Sequence, residues 1–212
     1  MSNDAQSYEG EGLSVRFDAE LCIHSRRCVL DLPNVFRANV EGPWIQPDEA
    51  DAEELAAVIR QCPSGALSFE PKKGLPPEKE PQKNVIAVHE NGPLSVRAQI
   101  QMNGQSHRPR AVLCRCGGSA NKPYCDGSHN KIGFRATGEP DSADPVGTLT
   151  GQGPLELSVV KDGPLIVNGP LEIICGSGRT IQRTERAFLC RCGGSGRKPF
   201  CDGTHSKIGF TG

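Results

Sequence analysis

Apolar and polar residues alternate over Leu13-Ser-Val-Arg-Phe17 and again over Ala66-Leu-Ser-Phe69, the period of two expected of half-buried strands. Between them the period lengthens. Leu55, Val58, Ile59 and Cys62 stand at i, i+3, i+4 and i+7, which makes one face of a helix apolar. Asp51, with Glu54 three residues on, has the spacing of a capping box with Asp in place of Ser or Thr. Pro63 and Gly65 predict the end of that helix, with Cys62 turned inward. Further on, Val85 to Val88, Leu155 to Val160, Leu171 to Ile174 and the runs just before Cys114 and Cys190 predict short strands. The stretch EPKKGLPPEKEPQ, which begins at Glu70, has no apolar period and predicts an extended, unpacked linker.

A repeat changes this picture. Ala111 to Phe134 aligns without a gap on Ala187 to Phe210, and the two differ only at Val112/Phe188, Ala120/Gly196, Asn121/Arg197, Tyr124/Phe200, Ser128/Thr204 and Asn130/Ser206. Cys114, Cys116, Cys125 and His129 therefore recur as Cys190, Cys192, Cys201 and His205, each 76 residues later. The likeness reaches upstream, where Asn91-Gly-Pro-Leu94 and Asp162-Gly-Pro-Leu165 are turns leading into strands. The expected domains are residues 10–70, a linker at 71–83, a first repeat at 84–140 and a second at 141–212.

Composition says what holds such small units together. Hydrophobic residues make up 36% of the chain and aromatics 5%, too little apolar material for comfort in domains of this size, so metals or disulfides are expected as staples. The leader from Met1 to Gly10 has neither a basic start nor an apolar core, which speaks against a secreted disulfide scaffold. The cysteines, Cys175 aside, are then expected to be reduced and metal-bound in a cytoplasmic protein. No apolar run approaches the ~20 residues of a membrane span. With 24 basic and 25 acidic residues and no long basic run, nucleic acid is not an expected partner.

The ligand spacing carries the chemistry. Residues i and i+2 of an extended chain project to one face, so Cys114 and Cys116 can share one metal; Cys125 and His129 have the i, i+4 spacing of one helical face and can share another. Two such pairs suit a 2Fe-2S cluster. Gly117 and Gly118 permit a tight turn that aims N–H groups at sulfur, Asp126 is placed to cap the short helix, and Pro123 stiffens the loop. Ser119, Lys122 and Asp126 are candidates to orient the ligands. A Cys3His zinc site is the alternative, and the gap of one residue in the first pair and eight between pairs fits it less well. In the N-terminal domain, Cys22-Ile-His24-Ser25-Arg-Arg-Cys28 and the distant Cys62-Pro63 follow the C-x2-C-x2-C…C-P run of bacterial ferredoxins, with Ser25 where the middle cysteine would stand. Three thiolates suffice for a 3Fe-4S cluster, and a 4Fe-4S cluster would need Ser25, His24 or an outside ligand; a cluster-free fold is the alternative. Cys175 is expected to be a buried small hydrophobe. His89 and His107 are expected at the surface, and Trp44 with Pro43 in core packing.

Both repeated strings resemble the signature of CDGSH iron-sulfur domains, the mitoNEET-like group, over roughly residues 84 to 212. The second copy reads Asp-Gly-Thr-His with its ligands intact. The resemblance implies a 2Fe-2S cluster on Cys114, Cys116, Cys125 and His129 and another on Cys190, Cys192, Cys201 and His205. Single-motif relatives pair as two chains around a β-sandwich, so the tandem copies are expected to pair with each other in a monomer with an internal pseudo-dyad. Residues 13 to 69 resemble divergent single-cluster ferredoxin domains, including the Cys-Pro-Ser-Gly-Ala run from Cys62. The expected class is α+β: a small ferredoxin-like domain and a mainly-β tandem CDGSH unit forming an intramolecular pseudo-dimer β-sandwich with two cluster loops.

A neutral imidazole in place of one thiolate is expected to raise each cluster's reduction potential above that of an all-Cys cluster. A solvent-facing imidazole nitrogen would also make cluster retention depend on pH; a cluster lifetime unchanged between mildly alkaline and acidic buffer would refute this. No catalytic triad, phosphate loop or dinucleotide fingerprint is present, so enzymatic activity is not expected. Electron transfer to a redox partner protein is the leading expectation. Donation of labile clusters to an apo-protein, or redox and pH sensing, is the alternative, and a zinc-stabilised interaction module is a third.

Overall fold

The computed structural model describes residues 5–142, 146–149 and 151–212. The first four residues of the leader and part of the expected start of the second repeat lie outside the described residues. The chain divides into two compact units, with the boundary between Lys79 and Glu80.

In the N-terminal unit, strands β1 (Gln6–Glu9) and β2 (Leu13–Phe17) precede helices α1 (Arg27–Asp31) and α2 (Ala52–Arg60), and β3 (Leu67–Pro71) closes the sheet. β2 lies in the middle and pairs antiparallel with both neighbours, Val15 facing Tyr8 on one side and Phe69 on the other. The expected helix is present because its two local signals agree. Asp51 Oδ1 accepts from the Glu53 and Glu54 N–H groups at 2.9 and 3.4 Å, a cap whose loss costs about 1 kcal/mol. Leu55, Ala56, Val58 and Ile59 are buried against Leu13, Val15, Phe36 and Ile45, and each large side chain withdrawn from water contributes about 1.5–3 kcal/mol. The helix stops at Arg60, leaving Cys62 in the following turn, half-buried against the same core.

The linker is packed for longer than its composition suggests. The Lys72 N–H donates to Gly12 O at 2.9 Å, and its ammonium reaches Glu9 at 2.7 Å and Gly10 O at 3.0 Å. Lys73 pairs with Glu11 at 2.8 Å, and Leu75 rests on the hydrophobic core. Charge pairing across the sheet edge and one apolar side chain hold residues 72–75 to the unit. A search for apolar periodicity is blind to both.

The second unit is mostly β. It contains β4 (Val85–Val88), β5 (Leu94–Arg97), β6 (Ile100–Met102), β7 (Gln105–Ser106), β8 (Arg110–Leu113), α3 (Ser128–Lys131), β9 (Leu155–Val159), β10 (Leu165–Ile174), β11 (Thr180–Leu189) and α4 (Thr204–Lys207). One sheet has the order β7-β6-β9-β10-β4-β5-β8, and β11 also pairs with β10. The period-two alternation buries Ile86 and Val88, Leu94 and Val96, Leu155 and Leu157, and Leu171 and Ile173 in a single core. The strand expected at Leu171–Ile174 is the second half of the longer β10. Register shifts between Asn168 and Leu171, where Gly169 at φ +114 leaves no room for a Cβ beside Pro154 O. Asn84 is buried nearby. Its Nδ2 donates to Gly153 O and Pro170 O, both at 2.9 Å, and its Oδ1 accepts from Gln99 N at 3.2 Å.

Candidate metal centres

Each repeated string folds back on itself. Cys114 N donates to Pro123 O at 2.8 Å and Cys125 N to Val112 O at 2.9 Å; Cys190 N and Cys201 N repeat the pattern with Pro199 O and Phe188 O, both at 2.8 Å. The hairpin thereby brings the end of β8 beside Cys125, and the end of β11 beside Cys201. Cys114 and Cys116 Sγ atoms lie 3.7 Å apart, and those of Cys190 and Cys192 3.6 Å apart. Cys125 Sγ is 3.5 Å from His129 Nδ1, and Cys201 Sγ is 3.3 Å from His205 Nδ1. For a tetrahedral metal with bonds of about 2.3 Å to sulfur and about 2.0–2.1 Å to nitrogen, the edges of the tetrahedron are about 3.8 and about 3.6 Å. Each pair fits one metal ion. Among the described residues, no three His, Cys, Asp or Glu side chains converge on a single ion.

The second pair is built differently from the helical face that its spacing suggests. α3 begins only at Ser128, and Gly127 at φ +84 bends the chain between Cys125 and the helix, as Gly203 at φ +85 does in the other repeat. Asp126 sits before that bend. Its Oδ1 accepts from Ser128 N and its Oδ2 from Ala120 N, both at 2.9 Å, while Asp202 accepts from Thr204 N at 3.0 Å and Gly196 N at 2.8 Å. Burial acts to raise the Asp126 carboxyl, but the hydrogen bonds from Ser128 and Ala120 outweigh it and hold it down at about 2. Ser119 and Lys122 brace the loop rather than the sulfurs: Ser119 Oγ donates to Tyr124 O at 2.6 Å, and Lys122 Nζ to Ser119 O at 2.7 Å.

Sulfur is met by backbone N–H groups instead. Gly118 N and Gly127 N approach Cys116 and Cys125 Sγ at 3.4 and 3.5 Å, and Gly194 N and Gly203 N approach Cys192 and Cys201 at the same two distances. Such donors favour the thiolate. The contact between the two sulfurs holds the Cys114 thiol down and pushes that of Cys116 up, so the pair gives up its two protons one after the other. Burial pushes Cys125 and Cys190 up. A metal displaces those protons when it binds.

The two loops also touch. Cys116 and Cys192 form an antiparallel backbone bridge, with Gly117 against Cys192 O and Gly193 against Cys116 O. Arg115 and Arg191, each lying between its string's first two cysteines, are buried. Spacing rules overlooked both, although their recurrence between paired cysteines was the available signal.

In the N-terminal unit, Cys22, Cys28 and Cys62 line one largely apolar cavity of about 500 Å³, together with His24, Ser25 and Trp44. A 3-10 turn at Ala19–Leu21 delivers Cys22, α1 carries Cys28, and the turn after α2 supplies Cys62. Burial pushes the Cys22 and Cys28 thiols up. His24, held at φ +53, has its Nδ1 4.0 Å from Cys22 Sγ. Trp44 packs on Phe17, with ring centroids 4.8 Å apart, as well as facing the cavity. Three thiols around an apolar space suit a multi-iron cluster.

The isolated residues sort as follows. Cys175 is buried in the core, 3.1 Å from Ser177 Oγ. His89 is exposed and bonded to Ser95 Oγ at 2.7 Å. His107 is not the surface group expected of it: it is half-buried, 2.8 Å from Tyr124 Oη and stacked on that ring.

Residues 8–72 match the family described as a divergent 4Fe-4S mono-cluster, and residues 91–130 and 162–206 match the iron-binding zinc finger of CDGSH type. YjdI, an uncharacterised protein of Escherichia coli K12, is 42% identical over 65 residues, 31% of this chain and 84% of its own length; the YjdI of Escherichia coli O157:H7 matches to the same extent. No solved structure matches. Among the described residues, no helix is long and apolar enough to cross a membrane. Paired thiol and imidazole donors in both loops, and a three-cysteine cavity ahead of them, agree with these matches: the chain belongs to the CDGSH-type iron-sulfur proteins, with tandem CDGSH motifs behind a divergent single-cluster ferredoxin-like domain.

Proposed function

We propose that the chain is an electron-transfer protein with two 2Fe-2S centres, one on Cys114, Cys116, Cys125 and His129 and one on Cys190, Cys192, Cys201 and His205. A third centre, 3Fe-4S or 4Fe-4S, occupies the cavity of Cys22, Cys28 and Cys62. The observation that carries this reading is the division of each four-donor set into two pairs, each with the separation of ligands on one metal. Two irons with two protein ligands apiece use that arrangement, whereas one zinc ion needs all four donors around a single point. When bound, each 2Fe-2S cluster takes up and returns one electron. The four donors of each string would hold it, and the glycine N–H groups facing sulfur would favour the added negative charge.

We infer that the repeats form an intramolecular pseudo-dimer. β4 pairs in parallel with β10, Val85 opposite Glu172 and Ile86 opposite Ile173; β6 pairs in parallel with β9, Gln101 opposite Glu156 and Met102 opposite Leu157. The Asn-Gly-Pro-Leu turn at Asn91 recurs 71 residues on as Asp162-Gly-Pro-Leu165, and that offset carries Val85 onto Glu156 and Gln101 onto Glu172. Each ladder is the image of the other, with strands exchanged between repeats. The partner is a redox protein, and the chain acts as a cytoplasmic monomer without catalytic activity of its own.

The second reading, donation of a labile cluster to an apo-protein, draws on one asymmetry: Cys201 is half-buried where Cys125 is buried. Iron and sulfide counting on anaerobically purified protein, followed by reductive titration, tests both. Reversible reduction without loss of iron supports the carrier, while transfer of visible absorption to an apo-ferredoxin supports the donor. Zinc without sulfide would overturn both.

A further inference from the structure

The near balance of charge over the whole chain hides an uneven distribution. Residues 80–212 carry 16 Lys and Arg against 11 Asp and Glu, so the unit with both repeated strings is basic, and the acidic surplus lies in residues 1–79. Part of that basic charge gathers beside one motif. A groove of about 800 Å³ adjoins the second string, and Arg186, Phe188, Arg197, Lys198 and Cys201 all line it. Glu139 and Asp141 line it too, but Glu139 already accepts from the Ser177 N–H at 3.0 Å and pairs with Arg179 at 3.5 Å. The cations of the lining outnumber its acids, one of which is already neutralised.

The first motif is an internal control, because each residue of the second string has a counterpart 76 positions earlier. Phe188, 42% exposed, stands where Val112 is buried, and Arg186 is exposed where Arg110 is buried. Arg197, also exposed, replaces the uncharged Asn121. Cys201 is half-buried where Cys125 is buried. Neighbouring strands account for part of the difference. Met102, at the end of β6, has its sulfur 3.6 Å from Tyr124 Oη, and His107, just after β7, stacks on the Tyr124 ring. The second string has Phe200 at that position, and Phe200 lines the groove.

The Arg186 guanidinium lies over the Phe188 ring, 4.9 Å from its centroid, so an exposed cation and an exposed aromatic are held together. Arginine and aromatic side chains are those that most often anchor a protein partner. Clustered cations also speed and orient the encounter with a surface of opposite sign.

We propose that Arg186, Phe188 and Arg197 form a docking face for an acidic ferredoxin-type redox protein, through which electrons enter the tandem unit at the second centre. This rests on the reading of both motifs as reducible 2Fe-2S sites. A plant-type ferredoxin has a low potential, and imidazole ligation raises that of a two-iron cluster. One electron therefore passes from the reduced ferredoxin, which is oxidised, to the second centre, which is reduced; no bond or proton need move. The first motif has the same ligands but lacks this face.

The test is stopped-flow mixing of the oxidised full chain with a reduced plant-type ferredoxin as probe, in a Cys62→Ser background so that no N-terminal centre competes for the electron. At low salt the second-order rate constant is expected to fall about tenfold in Arg186→Gln and in Arg197→Asn, with a flatter salt dependence. Phe188→Val is expected to slow the reaction at every salt concentration. Arg197→Asn and Phe188→Val install the residues that the first motif already holds, and they carry the test if Arg186→Gln does not load. Arg97→Gln, which removes an exposed cation from β5, is expected to leave the rate unchanged. Carbodiimide coupling of the two proteins is expected to join probe carboxylates to Lys198 in preference to its counterpart Lys122. Unchanged rates in the three groove variants, equal slowing by Arg97→Gln, or coupling chiefly through Lys122 would overturn the docking face. So would a dimer of the chain abolished by Phe188→Val, which would give the face to a second copy. A parent chain with zinc and no sulfide would instead overturn the underlying reading of the motifs.

Discussion

Cys116 and Cys192 face each other across an antiparallel backbone bridge, each with its following glycine pressed against the other's carbonyl. A cysteine of one motif is therefore part of the support of the other, and disturbance at this contact should reach both motifs.

Gly117→Ala tests that coupling. Gly117 lies at φ +80, and a Cβ there would stand 2.5 Å from Cys192 O. Left-handed backbone costs an L-residue about 1–2 kcal/mol, and the clash forces Cys192 to move as well. Gly127→Ala is the control, because Gly127 has φ +84 but open space around its Cβ position. Iron and sulfide counts should fall at both motifs in the first variant and only at the first motif in the second.

Asn84→Ala should destabilise the second unit without touching a ligand. The side chain satisfies two carbonyls and one N–H from three separate segments. Leaving those groups buried and unpaired costs about 1–3 kcal/mol each, less where water enters. Urea unfolding followed by far-ultraviolet dichroism would read the loss, and Asn84→Asp should also destabilise the unit above its carboxyl pKa, because a carboxylate can donate to neither Gly153 O nor Pro170 O.

Acid sensitivity of the N-terminal unit has a traceable source in Glu9. The Lys72 ammonium, the Ser14 hydroxyl and the Lys72 charge outweigh burial and hold its carboxyl at about 2, below the ordinary 4.5. A depressed carboxyl contributes stability that is complete above pH 4.5 and is lost as pH falls through about 2. Trp44 is the chain's one tryptophan and belongs to this unit, so its fluorescence reports unfolding there. Glu9→Gln should flatten the dependence between those limits.

Cys62→Ser should remove the N-terminal centre alone. Cys62 shares its cavity with Cys22 and Cys28, and two thiolates are too few for a 3Fe-4S or 4Fe-4S cluster. The electron paramagnetic resonance signals of the two tandem centres should persist at full intensity while the third disappears. A chain that loses no iron would show that the cavity holds no cluster.

Local pattern was a sound guide where the cause is local. Asp51 caps α2, Leu55, Val58 and Ile59 form its buried face, and Leu13–Phe17 is a strand with the expected limits. It misled where a distant contact decides. The i, i+4 spacing of Cys125 and His129 suggested one helix, yet Gly127 breaks the chain between them and Asp126 fastens the bend. His107 gave no hint of Tyr124, and Lys72 none of Glu9, because neither pairing has a spacing rule.

Covalent geometry and the order of residues determined by themselves which donors come in pairs, where the repeat begins and which strand faces are apolar. Side-chain direction alternates with a period of two whatever the rest of the chain does. Only the tertiary structure decided that β4 lies beside β10 and β6 beside β9, and that Cys116 meets Cys192. Those relations join residues some 55 to 90 positions apart, and they are selected by burial of a shared core rather than by any preference of the residues taken singly.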